Sequence, residues 1–508
     1  MALQQRLKPA LPLVPILPGL AVVPLLIVVV RDLHGGGWVL LWDALRSIVK
    51  PSLDPVVIGS LIEGTQITLL TALLAWCLSC IAGTIIGVVC SNTFWSLLGA
   101  PTRFAGVIRV PLALIRSIHE LIWGLILLQL LGLSFWVAGL AIAIPYSAYM
   151  ARLVRDLIDT RPSPPWRALI STGAPALSAV LTAIAPSMAP ALVKQMGQRM
   201  DCALRSAVML GVFGLGGLGT DLLLSLQSLR FEEVSSGLWM LAGLMVIVET
   251  GTNQMLRLLG ALPVLLIAGL PISVVWASVL SLDLSWPRWN PLQISPSLSS
   301  LLEAIAQTNW AELIGATLLI TAWASAIAIA GPPLLLLLWP NRIGRIAQQF
   351  SWRLCRICPV PLTALLMLLL VKPSVAIAAA ALGLHHAGVT GRILLDAVDK
   401  RTDLSSASLL AAGSSQRAAM LYGPLAHLSR NYLAVGAQRS EVILRDTAVV
   451  GLVGGAGLGW EMMEALSSFY WELVITLLIS YTIITMAGEL ISDHWQRAWA
   501  CQADGSTG

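Results

Sequence analysis

The chain repeats itself. Arg205-Ser-Ala-Val-Met-Leu-Gly211-Val-Phe-Gly214-Leu-Gly-Gly217-Leu-Gly219 returns as Arg445-Asp-Thr-Ala-Val-Val-Gly451-Leu-Val-Gly454-Gly-Ala-Gly457-Leu-Gly459, at a constant offset of 240 residues. The same offset joins Arg116 to Arg356, Arg152 to Arg392, Asp156 to Asp396, Gly173 to Gly413 and Glu249 to Glu489. Two copies in register predict two similar bundles on one polypeptide, here divided at 1–258 and 259–508. Bundles so related can face one another across a pseudo-twofold axis, where a pathway can form.

Composition decides the solvent. Hydrophobic residues make up 57% of the chain and charged residues 11%, against about 25% charged in an average soluble domain. Apolar runs long enough to cross about 30 Å of hydrocarbon recur throughout. Six are expected per copy: near 11–30, 66–91, 105–133, 135–156, 203–226 and 236–256, then 260–282, 310–339, 359–371, 374–398, 446–467 and 472–492. The run at 359–371 is short and bracketed by Pro359, Pro361 and Pro373. An all-α, multi-pass membrane protein follows. Arg6 and Lys8 precede the first run as in a signal peptide, but prolines interrupt it and no small-x-small cleavage site follows, so an uncleaved span is expected.

Basic residues set the orientation. With both termini on the cytoplasmic side, the outer segments hold only Arg31, Arg46, Lys50, Arg230, Arg288 and Lys372 of the 31 lysines and arginines. This asymmetry also accounts for the net charge of +5 without a nucleic-acid partner, since the cations are scattered along loops and helix ends rather than gathered with aromatics. Seven cysteines give no disulfide framework. Cys77-x-x-Cys80 lies inside a span, and Cys355-x-x-Cys358 has no second Cys or His pair to complete a zinc site, so no metal site is expected.

The longest polar stretches, Asp156 to Met200 and Asp396 to Arg445, both fall on the basic side. One long inner loop per copy, with Gly173 and Gly413 in register, suits docking to a soluble partner. Each loop resembles the coupling loop of binding-protein-dependent ABC importer permeases, whose pattern runs Glu-Ala-Ala, then Gly, then apolar-x-Pro. The first copy gives Arg167-Ala168-Leu169, Gly173 and Pro186; the second gives Leu409-Leu-Ala-Ala412, Gly413 and Pro424, with its proline two positions earlier and the glutamate absent from both.

Further motifs narrow the resemblance. Arg116-Ser117-Ile118-His119-Glu120-Leu-Ile-Trp123 is similar to the Arg-Ser-Ile-Pro-Glu-x-x-Trp signature of phosphonate-type ABC transporter permeases. Gly383-Leu-His385-His386-Ala-Gly388 resembles that family's Gly-Leu-His-x-x-Gly element, and the run ending at Gly459 its glycine-rich segment. The resemblance implies two tandem six-helix type I importer permease domains, fused where most relatives pair as separate chains. It also implies a phosphorus oxyanion (phosphonate, phosphite or phosphate) as cargo and a bacterial inner-membrane location. Two ATP-binding subunits would sit on the inner loops, carrying ATP and Mg, and a periplasmic or lipid-anchored binding protein would deliver the substrate. No cofactor is expected on this chain. The copies diverge: Ile357-Cys358-Pro359-Val360 replaces Ser-Ile-His-Glu, and Pro145-Tyr146 stands where the other copy has His385-His386.

Within this framework Arg116, Ser117, Glu120, His385 and His386 are the candidate pathway residues, because ionisable groups at membrane depth face a cavity or a partner. Arg116 and Glu120, four apart, are able to pair on one helix face; the histidines can either donate to an oxyanion or pack against a neighbour. Gly214, Gly217, Gly219, Gly454, Gly457 and Gly459 fit helix packing or a gate, with a backbone-lined anion path as the alternative. Arg205 and Arg445 are expected to snorkel to the inner interface, with gate or partner contact as the alternative.

No catalytic site is expected. The phosphate loop Gly-x-x-x-x-Gly-Lys-Ser/Thr needs lysine after glycine, and Lys8, Lys50, Lys194, Lys372 and Lys400 follow Leu, Val, Val, Val and Asp. A same-fold permease for an amino acid or quaternary amine, and a gradient-coupled secondary transporter, are the competing readings.

Overall fold

A computed structural model describes residues 13–160, 164–175, 178, 180–255, 262–282, 284, 297–399, 405–453 and 457–504. The described residues are helical, with an isolated Leu33–Val371 bridge as their sole strand-like pairing. Gly454 and the 258/259 boundary lie outside them.

Five helices are long and apolar enough to cross a bilayer singly: Pro55–Val89, Phe135–Asp159, Phe231–Thr252, Trp310–Leu338 and Trp471–Ser492. Among the described residues three bent pairs are apolar enough only when their arms are taken together, Arg103–Ser117 with Glu120–Leu131, Thr182–Leu215 with Leu218–Gln227, and Arg342–Ile357 with Val360–Leu368. Leu17–Arg31 and Leu266–Val279 are shorter apolar helices. The apolar run near 105–133 is broken by a 90° bend, and the short run at 359–371 falls in the second arm of a 96° bend. Hydropathy registers only apolar content, so it reads across a turn that keeps its side chains apolar.

Contacts divide the chain into Arg46–Ser295 and a second unit made of Met1–Leu45 with Pro296–Gly508. The repeat divides the sequence in the middle; the compact units instead each take their first apolar helix from the other half of the chain. In the unit Arg46–Ser295, Ala277 of the Leu262–Val279 helix packs with Leu70, Leu74 and Phe135. The Trp76 indole donates to the Met196 carbonyl at 2.8 Å, tying Pro55–Val89 to Ala185–Leu210.

In the other unit, a Cβ at Gly19 would stand 3.2 Å from Ala330 and 3.3 Å from Leu334, so the N-terminal segment lies directly on Trp310–Leu338. The chain after it is pinned by His34 N–H to the Leu370 carbonyl (2.9 Å) and by Lys372 N–H to the Asp32 carbonyl (3.1 Å). The core there gathers Leu336, Trp352, Leu394, Leu395, Leu425 and Tyr432. Thr390 donates to the Ala328 carbonyl (2.6 Å) and Tyr432 to the Ile329 carbonyl (2.9 Å), so polar side chains inside the bundle are satisfied by helix carbonyls.

Candidate functional site: two breaks, two bent spans and two capped loops

The re-entrant bends arise from different local chemistry. In the first copy the backbone turns extended at Ile118 (ψ 128) and His119 (ψ 146). The His119 ring caps the new helix, its Nδ1 accepting from Leu121 N–H at 3.1 Å. In the second copy Pro359 does the work. A residue before proline is pushed out of the helical region, and Cys358 is extended (ψ 121), with Val360 and Pro361 opening the next helix. Arg116 lies at the end of one helix and Glu120 begins another at 90°, so the two stand on different helices and not on one face. Glu120 instead lies in the first turn of its helix, where a carboxylate is favoured by the exposed N–H groups.

Glu120 Oε1 accepts from the Ser206 hydroxyl at 2.6 Å, and Ser206 Oγ is 2.8 Å from Tyr146 OH. Glu120 Oε2 is 3.5 Å from His119 Nε2. Beside this chain, the Arg116 guanidinium lies 5.9 Å from the Tyr149 ring centroid and that of Arg199 lies 5.2 Å from it. Arg116, Ser117 and His119 are all buried. Arg116 and Glu120 thus lie beside Tyr146, already noted as a difference between the copies, and beside Tyr149 and Arg199, which the sequence did not single out.

The second copy's histidines take separate partners. His385 Nδ1 is 3.3 Å from the Cys358 carbonyl, at the break, while His386 Nε2 is 3.0 Å from Asp446 Oδ2. The rings meet edge-on, 5.5 Å between centroids.

The glycine runs break the second kind of span. Gly214, Gly216 and Gly217 have φ of 86°, 89° and 86°, and the helix axis turns by 55°. At Gly217 only glycine fits: its φ is left-handed and a Cβ would come within 2.5 Å of Thr68 Oγ1. The N–H freed by the break is not lost, since Leu218 N–H donates to Thr68 Oγ1 at 2.9 Å. Gly457 (φ 99°) repeats this, with Leu458 N–H donating to Thr317 Oγ1 at 2.9 Å. Gly219 and Gly459 sit against the Val208 and Thr447 carbonyls, whereas Gly214 has open space around it.

Arg205 and Arg445 are both engaged within the helix that carries them. Each folds back on an acid one turn earlier, Asp201 at 2.7 Å and Glu441 at 2.6 Å. The second pair is the more enclosed, at 6% and 7% side-chain exposure. A carboxylate four residues before an arginine makes a local pair cheaper than unrolling the side chain.

The inner loops are built alike. After Pro164–Ser171, Gly173 N–H donates to the Ile170 carbonyl (2.9 Å) and Ala174 N–H to the Leu169 carbonyl (3.1 Å). After Ser405–Ala411, Gly413 N–H donates to Leu410 (3.0 Å) and Ser414 N–H to Leu409 (3.1 Å). This is a Schellman cap, closed by glycine at φ 85° and 84°. Ala168, Gly173, Ala412 and Gly413 are exposed. Pro186 is exposed in the first turn of Ala185–Leu210, whereas Pro424 is buried within the turn Leu421–Leu425.

Comparison with known proteins finds relatives among transport permeases. No protein-family profile matches the chain. The phosphite transport system permease protein PtxC of Stutzerimonas stutzeri is 27% identical over 209 residues, 41% of this chain and 70% of its own. The putative phosphite transport system permease protein HtxE of the same organism is 29% identical over 141 residues, 28% of this chain and 54% of its own. The phosphate-import permease protein PhnE of Mycolicibacterium smegmatis is 22% identical over 484 residues, 89% of this chain and 88% of its own, so that match runs through both copies. Among solved structures, an amino acid ABC transporter crystallised with histidines matches with a TM-score of 0.33 and 17% identity over 40% of this chain and 100% of its own, a likeness too loose to decide anything. With repeated capped loops, broken spans and similarity over 89% of its length to a phosphate-import permease, the chain is similar to the permease subunits of phosphite, phosphonate and phosphate transport systems.

Proposed function

We propose that the chain is the membrane-spanning subunit of an ATP-driven importer for a phosphorus oxyanion: phosphonate, phosphite or phosphate. The observation that supports this most is the 484-residue similarity to a phosphate-import permease, covering both copies. The phosphite permeases favour the same cargo class over an amino acid or quaternary amine. In this reading the chain lies in the bacterial inner membrane with both termini cytoplasmic. The capped loops at Gly173 and Gly413 dock one ATP-binding subunit each, and a periplasmic or lipid-anchored binding protein delivers the oxyanion. ATP and Mg belong to the partner subunits.

The energy transfer follows from the loop's construction. A short helix closed by a Schellman cap is stiff, and each leads within a few residues into the span that carries the glycine break. Tilting of the loop on ATP binding would therefore be passed to that span. ATP drives the switch only by binding one state more tightly than the other.

The test is reconstitution of the chain with its cognate ATPase and binding protein in liposomes. ATP-dependent uptake of radiolabelled phosphate or phosphite, not competed by methionine or betaine, is the expected result. Uptake driven by an ion gradient without ATP would overturn the reading in favour of a secondary transporter. Competition by methionine or betaine would overturn the cargo class.

A further inference from the structure

The two copies stitch the same three elements together at the same positions with different side chains. In the first, a polar chain runs from the re-entrant break to the middle helix Phe135–Asp159 by way of the span Ala185–Leu210. Ser206 donates its one hydroxyl proton to Glu120, so Tyr146 must donate to Ser206, and the chain ends on the carboxylate. Tyr146 and Ser206 are buried at 8% and 2% exposure. Hydroxyls so enclosed need an acceptor at the end of the relay, because an unsatisfied one costs the full desolvation of the group.

Moved by 240 residues, Glu120, Tyr146 and Ser206 become Val360, His386 and Asp446. The carboxylate has left the break and reappears on the span Ala426–Asp446, where it faces the His386 ring at 3.0 Å. The vacated position, Val360, is fully buried at 0% exposure. The reach to the break is kept by other means, since His385, edge-on to His386, approaches the Cys358 carbonyl. Each copy therefore has one carboxylate in these three positions, supplied from opposite sides of the same joint. Among the described residues, Glu441, Arg445, Thr447 and the Tyr481 hydroxyl are further polar groups near the second joint, and Asp201 and Arg205 form the corresponding pair near the first.

We propose that positions 120, 146 and 206, and 360, 386 and 446, each form a positioning unit in which a single carboxylate ties the middle helix to the glycine-broken span beside the break, supplied from the break in the first copy and from the span in the second. The residues position the pathway rather than contact cargo. The physical requirement is one acceptor per joint: none leaves donors stranded, and two place like charges together in a water-poor site.

The test is sign reversal in the full chain, read by uptake in the reconstituted importer and by thermal unfolding in detergent. In the wild-type background Val360→Glu adds a second acid to the three positions that already hold Asp446 and should lower uptake at least tenfold. The double variant His386→Tyr/Asp446→Ser removes the acid and should lose as much. Adding Val360→Glu to that double should restore uptake to within threefold of wild type and recover the melting temperature. The reciprocal set in the first copy, Glu120→Val with Tyr146→His and Ser206→Asp, should likewise exceed Glu120→Val alone. A general packing role would make Val360→Glu harmful in both backgrounds, so its change of sign is the diagnostic. Triples no better than their parents in both uptake and melting temperature would overturn the proposal. The uptake readout rests on the importer reading; if the wild type shows no uptake that reading fails, while the melting comparison still decides this one.

Discussion

At the scale of single residues, the recurring theme is the replacement of a lost helical hydrogen bond by a threonine. Glycine breaks a span at low cost in backbone strain, but it leaves an N–H inside a bundle with no water to take it. Thr68 and Thr317, both buried, take up that N–H from Leu218 and Leu458 while donating to the carbonyls of Gly64 and Leu313 one turn back. The hydroxyl is thus a donor and an acceptor at once, and a methyl group of the same shape is neither. Thr68→Val and Thr317→Val should each destabilise by about 1–3 kcal/mol, the cost of stranding a buried donor. Thr68→Ser and Thr317→Ser should lose much less. Thermal unfolding of the four variants in one detergent measures this. Valine variants as stable as the serine variants would mean that the N–H finds another acceptor.

At the scale of elements, local signals were legible and bends were not. The inner loops could be read from Gly173 and Gly413 alone, because a left-handed helix end favours glycine strongly and the register between copies repeats it. Replacing either with valine forces a β-branched residue to a positive φ, at about 1–2 kcal/mol. Gly173→Val and Gly413→Val should weaken retention of the ATP-binding subunits in a pull-down, the double more than either single. Gly173→Asn should keep it, since asparagine tolerates the left-handed conformation. Equal retention by all variants would remove the loops from the docking role. The re-entrant turns escaped sequence reading for the opposite reason. Pro359 does mark the second, but in the first the turn is made by His119, whose capping role is visible only once its ring is seen accepting from Leu121 N–H. The polar joint was half legible. The exchange of Pro145-Tyr146 for His385-His386 stood out, yet the matching exchange of Ser206 for Asp446 went unread inside a motif aligned for its glycines. Comparing the copies for paired differences, rather than shared residues, was the signal available.

At the scale of the whole molecule, sequence repeat and physical compactness divide the chain differently. The repeat places one copy before residue 258 and the other after it, but the contacts assign Met1–Leu45 to the unit containing Pro296–Gly508, and the Leu262–Val279 helix to Arg46–Ser295. The reason is visible within each unit. Removing Leu262–Val279 would strip cover from Leu70, Leu74 and Phe135, which pack on Ala277. Removing the N-terminal segment would uncover the Ala330 and Leu334 face of Trp310–Leu338 and free the backbone pairing of Asp32 and His34 with 370–372. A bilayer can cover apolar side chains, but it does not replace the backbone pairing that pins the chain after Leu17–Arg31 to 370–372. A fragment cut to the contacts, residues 46–295, should therefore behave better than one cut to the repeat, residues 1–258. Expressed separately in membranes, 46–295 should resist limited proteolysis and elute as a single species in detergent. The 1–258 fragment, which carries an N-terminal helix without its partner and lacks Leu262–Val279, should be degraded or aggregate. Co-expression of 1–258 with 259–508 should protect both, because each then supplies the helix that the other unit lacks. A 1–258 fragment as resistant alone as 46–295 would show that the exchanged helices add little to either unit.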